Sequence, residues 1–128
     1  MRKLFRHPFL VLFAFLLMAF NGISDKIAEA FKAGDSAGLA AYFKANVDLS
    51  ILEEDDLYSK ANAEKKLATF FQNHPVSSFS ILHEGQSNNG LQYTIGSLET
   101  SNGTFRVSFY VKEENGQAFI QQIMIDEE

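Results

Sequence analysis

The dipeptide Asn-Gly recurs at Asn89-Gly90, Asn102-Gly103 and Asn115-Gly116, at a constant spacing of thirteen residues. Between alternating apolar residues, Asn-Gly is a strong short-range signal for a two-residue hairpin, because a type I′ turn needs positive φ at both central positions. Eleven residues separate successive turns, enough for one strand each. The stretch from Ser78 to Asp126 therefore reads as a four-stranded antiparallel meander, and the chain upstream reads as its cover.

In a two-residue hairpin the flanking residues pair, and every pair further out is then fixed. On this rule Ser87 faces Gln92, Thr100 faces Phe105 and Glu113 faces Ala118. The ladder then puts Phe79, Ile81, His83, Thr94, Gly96, Leu98, Phe105, Val107, Phe109, Val111, Ile120, Gln122 and Met124 on one largely apolar face, the expected core. The opposite face is mixed and includes Tyr93, Ile95, Glu99, Arg106, Tyr110, Phe119, Ile123 and Ile125. A bulge in any strand would swap that strand's faces beyond it.

A chain of 128 residues, 46% hydrophobic with 13 Phe, suits one domain with one core. Its net charge is −5 and it carries no Lys/Arg cluster beyond the first residues, which argues against nucleic acid and anionic membrane surfaces as partners. The absence of cysteine excludes disulfides, thiolate chemistry and lipid attachment through an N-terminal cysteine. No cofactor-binding or metal-binding spacing is present. Glu53 to Asp56 offers four carboxylates, but without the glycine turn and alternate ligands of a calcium loop it reads as a solvated turn.

Basic residues from Met1 to Pro8 precede the uncharged run Phe9 to Phe20, which is shorter than the ~20 residues a membrane span needs. Residues 1–22 thus read as a secretory signal peptide, with the mature domain at 23–128 and a periplasmic or secreted location. Neither candidate cleavage pair, Leu17/Ala19 or Phe20/Gly22, is a good small-x-small site, so retention as an N-terminal anchor is the alternative.

Ser24 as cap, Ile27, Ala28, Ala30 and Phe31 along one side, and Gly34 as stop describe a first helix. Asp35 suits the cap of a short second helix better than a catalytic acid. Val47, Leu49 and Ile51 alternate as a strand, with a short return strand near Leu57-Tyr58. Ser59 caps a third helix whose apolar side is Ala63, Leu67, Phe70 and Phe71, ended by Asn73-His74-Pro75, with His74 as an exposed capping or loop residue.

This α+β order (α-α-β-β-α-β-β-β-β), with the segment Phe31 to Phe43, resembles the nuclear transport factor 2-like cone, the fold of ketosteroid isomerase and the SnoaL-type cyclases. Over nearly all of the mature chain, Gly34-Asp35, Tyr58-Ser59-Lys60, His83-Glu84-Gly85, Gly103 to Val107 and Ile120-Gln121-Gln122 resemble a group of small exported bacterial proteins of unknown function, DUF4783-like. The resemblance implies three helices packed on a curved antiparallel sheet, a pocket between them, and dimerisation through the other sheet face. Such a fold hosts enzymes, binding modules and dimerisation domains, so it does not assign activity.

Register places His83, Gly96, Phe109 and Gln122 in one row across the inner face. This row, with Tyr58 or Tyr42 approaching from the helical side, is a candidate pocket floor for a small apolar ligand. The reading preferred over it is a core His and Gln with satisfied hydrogen bonds, Gly96 marking curvature. Tyr93, Ile95, Arg106, Tyr110, Phe119 and Ile123 form the expected homodimer face, with Arg106 paired to Glu99. The inner face holds no Asp or Glu, so a non-catalytic ligand-binding or assembly module in the cell envelope, with a ligand or envelope protein as partner, ranks above an isomerase or dehydratase using His83 as general base.

Overall fold

The computed structural model describes residues 22–87 and 90–128; residues 1–21 of the expected signal peptide and the Asn89 half of the first Asn-Gly turn lie outside them, and Gly22 already belongs to the first helix. Helices α1 (Gly22–Ala33) and α2 (Ser36–Ala40) precede strands β1 (Phe43–Ile51) and β2 (Glu54–Ser59). Helix α3 (Lys60–Asn73) follows, then β3 (Val76–Gln86), β4 (Gln92–Thr100), β5 (Gly103–Glu114) and β6 (Gln117–Glu127). The six strands make one sheet in the order β2-β1-β6-β5-β4-β3, antiparallel except where β1 runs parallel to β6.

Local chemistry accounts for the helix boundaries. Gly34, at φ +61°, donates to Phe31 O at 3.0 Å, and Asp35 N donates to Ala30 O at 2.9 Å, the paired bonds of a Schellman stop. Asp35 turns the chain at once into α2, its Oδ1 accepting from Gly38 N at 3.0 Å. Ser59 caps α3 through Asn62 N. Ser24 is not the cap of α1, because the helix already begins at Gly22.

All three helices pack on one face of the sheet, and the layer between is aromatic. Phe31 is fully buried and stacks on Phe79 at 5.1 Å and Phe109 at 5.8 Å, with Phe71 edge-on at 6.4 Å. Leu39, Val47, Leu49, Ala63, Leu67, Leu98, Ile120, Ile123 and Ile125 complete the core at 0–1% exposure. Burial of each large side chain contributes about 1.5–3 kcal/mol, so this layer dominates the fold's stability.

Two of the three hairpins differ from the register expected of them. Asn115-Gly116 forms the expected turn, with φ of 53° and 78°, and Glu113 faces Ala118 as the rule requires. At the second hairpin Thr100 pairs with Gly103 rather than Phe105, so the turn is Ser101-Asn102 and the ladder slides by two residues. Faces survive a slide of two, but Arg106 now lies opposite Ser97 and the expected Glu99–Arg106 pair is not made. Glu99 instead accepts from Ser78 Oγ at 3.1 Å. In the first hairpin Gln86 rather than Ser87 pairs with Gln92.

Two bulges decide which side chains face inward. One lies between Ile81 and His83, so that Ile81 pairs with Gly96 but His83 pairs with Ile95. The other lies between Val111 and Tyr110 on one side and Ile120 and Gln122 on the other. Beyond it Ile123 and Ile125 turn into the core, while Gln122 pairs with Tyr110 on the outward face and Met124 with Ser108. The expected inward positions of His83, Gln122 and Met124, and the expected outward positions of Ile123 and Ile125, are corrected by these two inserted residues.

Candidate functional site

The row proposed as a pocket floor does not assemble. His83 is exposed on the outward face, its Nε2 3.2 Å from Tyr93 Oη, and Gln122 is on that same face. Phe109 is wholly buried beneath Phe31. Gly96 is buried because a Cβ there would collide with the Phe79 ring and lie 2.9 Å from Ser80 O, so the glycine admits a ring rather than a ligand. Thr94 is the one polar side chain buried among the described residues, at 4% exposure. Phenylalanine therefore fills the space expected above this row, and His83 has no place in it as a base.

The open space lies to one side, in a groove of about 1070 Å³ between α3 and the β1–β2 turn. Asn62, Lys66, Thr69 and Asn73 form a polar stripe along α3 at i, i+4, i+7 and i+11, and face it. The opposite rim is Leu52, Glu53 and Glu54 of the turn with Asp126 and Glu127 of β6, and Ile51, Tyr58 and Phe70 supply the apolar surface. Tyr58 is thus the one expected pocket residue that lines this groove, while Gln122 borders a smaller hollow on the outward face beside Tyr110 and Leu57.

Electrostatics in the groove centre on Lys66. Its Nζ lies 3.1 Å from Glu54 Oε2 and 5.8 Å from the Tyr58 ring centroid, and the Glu54 carboxylate raises its pKa. Leu52, in the rim, has φ 57°, an unfavourable conformation for a branched side chain, and donates its N–H to Ile125 O at 2.8 Å. At the far end, His74 caps α3 and packs between Phe70 and Phe105, at 4.6 and 4.9 Å. It is half-buried rather than exposed, and its Nδ1 lies 2.7 Å from Asn102 Oδ1 while Asn102 Nδ2 donates to Asn73 O. Asn102, read from sequence as a turn residue, thus ties the β4–β5 turn to the end of α3.

The outward sheet face forms the second candidate surface. Tyr93, Ile95, Tyr110, Phe119 and Arg106 all lie on it, and Ile123 does not. The rings of Tyr93 and Tyr110 sit 6.3 Å apart. Lys44 covers the Phe119 ring at 5.0 Å. Leu57, 65% exposed, and Met124 join this face, neither expected from sequence. Asp48 lies between Leu57 and Gln122, its carboxyl pKa raised by burial, by a hydrogen bond to Asp55 and by repulsion from Asp55 and Asp56.

A cone of three helices on a curved six-stranded sheet is the nuclear transport factor 2-like, or cystatin-like, architecture. Residues 24–126 match the family described as Domain of unknown function (DUF4783), and the chain belongs to that family. A DUF4783 family protein from Bacteroides uniformis is 36% identical with a TM-score of 0.78, over 84% of this chain and 98% of that one. One from Bacteroides fragilis is 34% identical with a TM-score of 0.75, over 80% and 96%. A cystatin-like domain of unknown function from Nostoc punctiforme shares the fold at 14% identity and a TM-score of 0.65, over 86% and 75%. No curated protein matches the chain. Among the described residues, no group of three or more His, Asp or Glu side chains is placed to hold a metal, and no helix is long and apolar enough to cross a membrane.

Proposed function

We propose that this protein is an exported, non-catalytic assembly module of the cell envelope that pairs with a second copy through the outward face of its sheet. The observation that carries the reading is the distribution of side chains between the two sheet faces. The centre of the inner face is closed by Phe31, Phe79 and Phe109, and no acid or base is buried among the described residues. The outward face keeps Tyr93, Ile95, Tyr110, Met124 and Leu57 in contact with solvent. Aromatic and apolar side chains interspersed with Gln122, Ser108 and Arg106 are the composition of an interface centre and rim. Export rests on the basic start and short apolar run at the head of the chain.

Sedimentation velocity across micromolar concentrations tests the assembly. The expected result is a concentration-dependent dimer that Tyr110→Glu converts to monomer without loss of the thermal transition. A wild-type monomer throughout that range overturns the reading.

A further inference from the structure

The groove beside α3 holds an arrangement that neither the core nor pairing through the sheet requires. Lys66 reaches from the middle of α3 to place its ammonium against Glu54 and over the face of Tyr58. A carboxylate and an aromatic face together are what holds an organic cation in a binding site. We propose that this groove is a seat for a small primary amine with an apolar body, occupied at rest by the chain's own Lys66.

Five observations support the assignment, and none depends on the sheet-face dimer. The groove, at about 1070 Å³, is far larger than one lysine head fills and reaches the size of small-molecule sites. Ile51, Tyr58 and Phe70 give an apolar body a surface to cover once the amine is anchored. The charges lining it are four carboxylates, Glu53, Glu54, Asp126 and Glu127, against two lysines, so the groove favours a cation even with Lys66 in place. Finally, the resident pair is solvent-exposed, 47% for Lys66 and 70% for Glu54, and an exposed ion pair contributes so little that a ligand displaces it readily. Leu52, held at φ 57° on the rim, fits the pattern of backbone strain at ligand sites.

The test uses phenethylamine as probe, with 2-phenylethanol and 3-phenylpropionate as its neutral and anionic counterparts, titrated into the isotope-labelled protein. Phenethylamine is expected to shift the amide resonances of Glu54, Tyr58 and the Asn62–Asn73 side of α3, with the alcohol about two- to fivefold weaker, the range of one exposed ion pair, and the acid weaker still because it faces four carboxylates. Lys66→Met, which keeps helix propensity, is expected to bind the amine several-fold more tightly because the resident cation is gone. Glu54→Gln is expected to weaken it by about two- to fivefold, the range of one exposed ion pair. Equal binding of the three probes, no binding of the amine at millimolar concentration, or Lys66→Met binding no tighter than wild type overturns the proposal.

Discussion

The hydroxyl of Tyr93 reaches Nε2 of His83 at 3.2 Å by lying across Gly85, where any side chain would run into the tyrosine ring. The pair sits on the outward face, one residue beyond the β3 bulge. His83→Ala therefore removes one exposed contact and is expected to change unfolding free energy by no more than about 0.5 kcal/mol in urea denaturation. A loss of several kcal/mol would place the imidazole in the core instead.

Phe31 meets three other phenylalanines and, among the described residues, is the only helical ring stacked face-on with two sheet strands. Phe31→Ala is expected to cost about 3–5 kcal/mol, the range for deleting a buried ring, and to lower the urea midpoint with it.

Gly96 lies beneath Phe79, so Gly96→Ala adds one methyl where there is no volume for it. The expected cost is about 1–3 kcal/mol. Gly96→Ala combined with Phe79→Leu, which removes the obstructing ring edge, should lose less than the two single changes summed. Additive losses in a double-mutant cycle would show that the two sites do not share that space.

Asp48 has a raised carboxyl pKa, chiefly from burial and then from Asp55 and Asp56. The folded state thus holds this proton more tightly than the unfolded chain, whose carboxyl titrates near 3.8. Stability contributed by protonated Asp48 is present below that value and is lost as pH rises through the raised folded value. Asp48→Asn is expected to be more stable than wild type at neutral pH and to lose this part of the pH slope. Thermal scans from pH 3 to 7 read both effects.

On the outward face, Tyr110 stands between Tyr93 and Gln122. Tyr110→Glu is expected to weaken self-association by about 2 kcal/mol or more, as for a central interface aromatic, and sedimentation equilibrium measures the shift.

Much of this architecture was legible because the chemistry was local. Ala63, Leu67, Phe70 and Phe71 show the helical period, Gly34-Asp35 spells both a stop and a cap, and Asn115-Gly116 adopts the turn its residues favour. Asn102-Gly103 misled because Asn102 is spent on the end of α3, a tertiary contact that moves the turn back one residue. The bulges misled because one inserted residue reverses a strand. For β6 the doubled polar pair Gln121-Gln122 between Ile120 and Ile123 did carry the signal, since strict alternation would leave two isoleucines outside and a glutamine in the core. The groove was illegible for another reason: Asn62, Lys66, Thr69 and Asn73 are a visible stripe, but only the fold brings Glu54 and Tyr58 opposite them.

The parallel pairing of β1 with β6 also fixes an order of events during folding. Phe43, Leu49 and Ile51 dock beside Ile120, Ile123 and Ile125 of β6, which is synthesised long after β1. Until that strand exists, the β1–β2 hairpin has only α3 to rest on, and the long loop between β1 and its partner must close before the contact gives any return. A chain cut before Gln117 should keep the β3–β5 meander as a fluctuating, aggregation-prone remnant and shed its first hairpin, so cooperative folding waits for the final eleven-residue strand.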